Sequence, residues 1–194
     1  MNDELNHYRY GEAALREGQQ GQIANRILLE NRKAIEPQAV RVRDDLYSLI
    51  GISISNTQLV VGPEGLVLID TGKSSGDGER ILELASEISD KPVVAVVYTH
   101  SHYTMGTSAI LERYPNIPVL AHRKVHRNVV SSMTGPRRFM RRRGRMESAQ
   151  YLPGSGQDAP VPATRVSSGG APGYVPPTIL IEDDGTRMDL AGVP

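Results

Sequence analysis

An α/β layered fold is predicted by three features of this 194-residue chain. Short β-branched runs such as "LVLID" and "PVVAVVY" read as buried strands. Between them lie segments whose apolar residues recur at helical spacing. Gly- and Pro-containing turns separate the two kinds of segment, so strands and helices should alternate along the chain. The length is sufficient for one domain with a real core plus extensions.

Residues 1–37 are polar and mildly helical in "GEAALREGQQGQIANRILLENRKAI" and are expected to form an arm or peripheral helix without chemistry of its own. The domain proper is expected over 38–194. "AVRVRDDLYSLIG" alternates apolar and polar residues. "TQLVVGPEGLVLIDTG" places two apolar runs around Gly-Pro-Glu-Gly, a hairpin signature in which the glycines supply unusual backbone angles and the proline fixes φ. In "SSGDGERILELASEISD", Ile81, Leu82, Leu84, Ala85 and Ile88 fall on roughly one helical face. "KPVVAVVYTH" reads as a strand, "GTSAILERYPN" as a helix, "IPVLAH" as a strand and "RKVHRNVVSSM" as a helix. From about 134 to 177 a Gly/Pro/Arg-rich excursion breaks the pattern, and a run of that length is either functional or irregular. "TILIEDDGTRMDLAGVP" is expected to be a second hairpin with Asp183-Asp184-Gly185 at its turn.

The 22 basic and 22 acidic residues balance, which argues against a chain built mainly to coat nucleic acid. With no cysteine, any metal must be held by His, Asp or Glu. The first twenty residues lack the basic start and apolar core of a secretory signal, and no apolar run reaches the roughly 20 residues needed to span a bilayer. The expectation is a cytoplasmic protein without a membrane span.

The segment "VYTHSHYTMG" (97–106) carries the chemistry. His100 and His102 lie at the end of a strand, where residues two apart share a face, so both imidazoles can point the same way. Two neutral imidazoles make half of a tetrahedral zinc shell. The competing reading is a pair of strand-end histidines satisfied by backbone groups. Tyr103 and Thr104 follow in an expected loop, where they could contact a ligand or simply pack. His122 and His126 could clasp a metal if both sat on one helix, but "HRKVHRN" otherwise reads as a solvated basic face.

The succession "LVVGPEGLVLIDTG", helix, "PVVAVVYTHSH", helix, "IPVLAH" resembles the metallo-β-lactamase superfamily. Within it, "THSH", "AHRKVHRNVVSSMTGPRRFMRRRGRMESAQYLPG" and "PPTILIEDDGTRMDLAGV" resemble the alkylsulfatase (sulfuric ester hydrolase) branch. The likeness covers about residues 40–194. It implies an αββα sandwich, of which this chain holds the first part, and a metal-dependent hydrolase of sulfate esters. His100 and His102 then match the first two metal ligands. Asp70, where the superfamily has an aspartate near the metal, becomes either a side chain that orients an imidazole or an Asx-type cap before the helix. Thr104 stands where the family has aspartate and Met105 where it has histidine. Neutral threonine and soft thioether are poor zinc donors, so one zinc ion at most is expected.

In that branch the acidic ligands and a further histidine follow the hairpin that ends this chain. The expected activity is therefore impaired. The alternative is a non-catalytic, degenerate domain that binds an anion or a partner subunit, with a homodimer held open. Arg137, Arg138 and Arg141, in the Arg-rich run, suit a sulfate ester or other small anion. Nucleic acid is the weaker partner because Phe139 is the only aromatic residue inside that run.

Overall fold

A computed structural model describes residues 15–17, 23–25, 36–134, 143, 172–182 and 185–193. The chain divides into two compact units, 1–36 with 138–165 and 37–137 with 166–194. In the first unit, β1 (Leu15–Glu17) and β2 (Ile23–Asn25) pair antiparallel, Arg16 opposite Ala24. The helix expected here is thus replaced by paired strands over these residues. Gly18 and Gly21 fall between them, and glycine disfavours a helix interior by about 1 kcal/mol relative to alanine.

The second unit is built on a seven-stranded sheet in the order β3-β4-β5-β6-β7-β8-β9. Its strands are β3 (Gln38–Arg43), β4 (Leu46–Ile50), β5 (Thr57–Val61), β6 (Leu66–Ile69), β7 (Val93–Tyr98), β8 (Val119–His122) and β9 (Ile179–Ile181). The first four form an antiparallel meander, and β6 to β9 run parallel. The Gly-Pro-Glu-Gly turn closes as predicted, Gly62 N–H donating to Gly65 O at 2.9 Å.

The parallel half needs crossovers, and three helices accompany them among the described residues: α1 (Ser75–Ile88) between β6 and β7, α2 (Thr107–Arg113) between β7 and β8, and α3 (Lys124–Thr134) after β8. Period-2 alternation sorts the strand side chains. Leu66, Leu68, Val96, Tyr98, Val119 and Ala121 join Ile81, Leu84, Ile110 and Val129 from the helices in the main core. Val67, Ala95 and Leu120 point to the opposite face, where Met188, Leu190 and Ala191 pack on them. The result is one helical layer on one mixed sheet.

The terminal segment differs from the expected hairpin. β9 adds parallel to β8, Ala121 opposite Leu180, and residues 185–190 form no returning strand. Met188 and Leu190 instead lie on the sheet face, where burying apolar surface competes with laddering along an edge. Most of the 134–177 excursion, including Arg137, Arg138, Arg141 and Phe139, lies outside the described residues. So do Asp183 and Asp184.

Candidate functional site

β6 and β7 are adjacent and parallel, so their carboxyl ends open on the same edge of the sheet. That edge is where ligands bind in open α/β sheets. β6 delivers Asp70, Thr71, Gly72 and Lys73; β7 delivers Thr99, His100, His102 and Tyr103. Two backbone features knit these segments together. Thr71 N–H donates to Tyr103 O at 2.6 Å and Met105 N–H donates to Gly72 O at 3.0 Å. Between them, Gly72 and Thr104 form a parallel bridge. Gly72 has φ +77°, and a Cβ there would meet the Asp77 side chain at 2.5 Å, so only glycine fits.

Asp70 (φ 60°) and Tyr103 (φ 58°) both occupy the left-handed region, which side chains other than glycine seldom adopt. Each is held there by surrounding bonds. Such strain concentrates at functional sites, where the fold over-determines the geometry.

The two histidine rings lie against each other. Their ring centroids are 5.4 Å apart at an interplanar angle of 61°, and both rings are exposed. Tyr103 stands against both, 5.3 Å from His100 and 6.0 Å from His102. Buried Asp70 accepts from Thr99 N–H at 3.0 Å and from the Thr99 hydroxyl. With its proton committed to Asp70, Thr99 Oγ1 can only accept from His100 Nδ1, 2.7 Å away. This network assigns the proton to Nδ1 and leaves Nε2 as the unprotonated nitrogen of His100. Asp70 Oδ2 itself is 3.8 Å from that nitrogen.

His102 is held below the ordinary imidazole range by partial burial, then by His100 and Lys73. This favours the neutral form, the one in which imidazole binds metals. Lys73 was not singled out in the sequence. Its ammonium lies 5.9 Å from the centre of the Tyr103 ring, and burial lowers its pKa against the opposing pull of Asp77. No pattern marks a lone lysine after "DTG"; only the fold brings it to a tyrosine 30 positions on.

The other expected residues divide. Thr104 is fully buried rather than looped out, and its Oγ1 has no hydrogen-bond partner. Met105 is partly buried against the main core. His122 ends β8 while His126 lies on α3, so they share no helical face. His122 Nδ1 accepts from Lys124 N–H, and His126 stacks on Tyr174 with a 3.0 Å bond to its hydroxyl.

Beneath the histidines lies a closed polar floor. Tyr98 OH donates to Thr107 Oγ1 at 2.8 Å and approaches Val175 O at 2.9 Å, while Thr71 and Thr107 hydroxyls are 2.9 Å apart. Burial raises the Tyr98 pKa, so it remains a neutral phenol.

The donor set can be weighed against zinc directly. Two neighbouring imidazoles could provide at most half a shell, Asp70 is occupied by Thr99, and the hydroxyl at 104 is neutral and buried. Among the described residues no three His, Cys, Asp or Glu side chains cluster as a metal site. These residues alone do not complete a zinc centre, and still less a pair of zinc ions.

Residues 50–127 match the family described as the Metallo-beta-lactamase superfamily, and the chain has an alkylsulfatase-like metallo-β-lactamase fold. It is 34% identical over 91 residues to the linear primary-alkylsulfatase of a Pseudomonas species, covering 43% of this chain and 17% of that protein. With the (R)-specific secondary-alkylsulfatase of a Pseudomonas species it shares 30% identity over 162 residues, 78% of this chain and 24% of the relative. The solved structure of the stereoselective inverting sec-alkylsulfatase Pisa1 from Pseudomonas superposes with a TM-score of 0.69 at 25% identity, over 98% of this chain and 35% of that one. The chain thus spans a quarter or less of the curated relatives' length. No helix among the described residues is long and apolar enough to cross a membrane.

Proposed function

We propose that this chain carries the histidine-bearing part of a hydrolase for sulfuric esters. His100 and His102 would hold one zinc ion, and Asp70, through Thr99, would fix the His100 tautomer. The observation that carries this reading is the pair of exposed rings 5.4 Å apart at one strand end, with His100 Nδ1 engaged by Thr99. When bound, zinc supplies a Lewis acid and a water of lowered pKa. The donors present bind and orient the ion but do not complete its shell, so activity from this chain alone should be weak or absent. Arg137, Arg138 and Arg141 are the candidates for holding a sulfate ester.

Metal analysis of the purified chain beside His100→Ala tests the reading. Stoichiometric zinc that is lost in the variant supports it. Absence of zinc from both favours a non-catalytic domain that binds an anion or a second subunit, the reading that the orphaned Thr104 hydroxyl and the thioether of Met105 also favour. Full turnover of a long-chain alkyl sulfate by the isolated chain would refute the expected impairment.

A further inference from the structure

Lys73 poses a problem for a site that holds only a cation. Its ammonium sits on the Tyr103 ring, and that ring is also the wall against which both imidazoles stand. The lysine is not a freely swinging surface residue. It is half-buried, its backbone N–H donates to Asp77 Oδ2 at 2.7 Å, and the preceding Gly72 is bonded to Met105. Asp70, the acid at the strand end, is buried and taken up by Thr99. Among the described residues, the Lys73 ammonium forms no salt bridge. A positive charge beside two metal-type nitrogens, countered in part by the Asp77 carboxylate, opposes a bare cation and attracts an anion.

Resting on the proposed hydrolase reading, we infer that Lys73 anchors a tetrahedral oxyanion, the sulfate group of a half-ester, against the Tyr103 wall beside His100 and His102. Lysine suits this task because it is a point charge with three donors and needs no planar match, unlike the arginine fork. The cation–π contact with Tyr103 keeps the ammonium in place before the anion arrives. Lys73 also supplies positive charge in the region where Thr104 and Met105 lack the donors for another metal.

The experiment uses the full chain, metal-free, titrated with inorganic sulfate and separately with methyl sulfate. Binding is read from the His100 and His102 imidazole NMR signals, with chloride at equal ionic strength as control. Lys73→Met should weaken binding of the anion by on the order of tenfold, one charge-assisted contact. Lys73→Arg should remain within a few-fold of wild type. Zinc affinity, measured in parallel, should be unchanged or higher in Lys73→Met, because a repulsive charge is gone. Weakened anion binding with zinc affinity kept or raised cannot come from misfolding, which would weaken both.

Sulfate binding by the wild type that is unaffected in Lys73→Met overturns the inference, as does failure of the wild type to bind either anion saturably. If the wild type binds no zinc yet loses sulfate with Lys73, the hydrolase reading fails and the anion anchor stands. Sulfate binding without methyl sulfate binding assigns the anchor to the free anion and overturns the half-ester assignment.

Discussion

The site has a floor and a rim, and they obey different rules. The floor, made of Thr71, Tyr98 and Thr107, is buried and joined by hydrogen bonds between near neighbours. The rim, made of Lys73, His100, His102 and Tyr103, is at least partly exposed and held by ring contacts rather than by a closed hydrogen-bond network. Buried polar groups must be satisfied internally because an unpaired one costs about 1–3 kcal/mol. Exposed ones can afford vacancies, and vacancies are what a ligand fills. Thr104 sits at the boundary: it is buried like the floor, yet its hydroxyl is unpaired.

The largest expected effect comes from pressing the rim's chemistry onto that boundary. Thr104→Asp restores the family's residue type at a fully buried position, where an unpaired carboxylate is strongly disfavoured. Denaturant unfolding should show a loss of about 3 kcal/mol or more. A variant as stable as wild type that gained a second zinc would erase the distinction between floor and rim.

Next is Gly106→Ala, whose Cβ would lie 2.0 Å from Thr71 O, where α2 begins under the site. The overpacking should cost about 1–3 kcal/mol in thermal or denaturant unfolding. Tyr98→Phe removes the phenol that serves Thr107 and Val175 and should cost about 1 kcal/mol, with zinc binding unchanged. An equal loss of zinc would show that floor and rim act as one unit.

The smallest effect is the titration of His102. Its NMR midpoint should fall below about 6.5, the ordinary imidazole value. Between the two midpoints the unfolded chain binds more protons, so this ring's contribution weakens folding as pH falls through that window and vanishes above it. Because the ring is exposed, the change in stability should be slight, and the midpoint itself is the better measurement.

The floor-and-rim division also explains what could be read from residue order. Strands β6 and β7 and their helices follow from local periodicity and form where expected, and His100 and His102 lie next to each other at the end of β7. The errors came where local pattern was outweighed. Helical composition near residues 15–25 lost to strand pairing, and residues 185–190 form no returning strand, Met188 and Leu190 packing on the sheet face instead. Thr99 and Lys73 were missed for another reason. Each acquires meaning only from a partner about 30 positions away, Asp70 for Thr99 and Tyr103 for Lys73. Burial at 104 was equally invisible, since threonine is common on either side of a surface.

Tyr103 carries its ring on a backbone turn that glycine would adopt at lower cost. If the proposed anion site is right, stability and ligand capture are opposed at this position. Tyr103→Gly would relax the chain locally while removing the partition shared by Lys73 and the imidazoles. A search for hardier variants would be drawn to that exchange and would lose the shared aromatic wall as it succeeded.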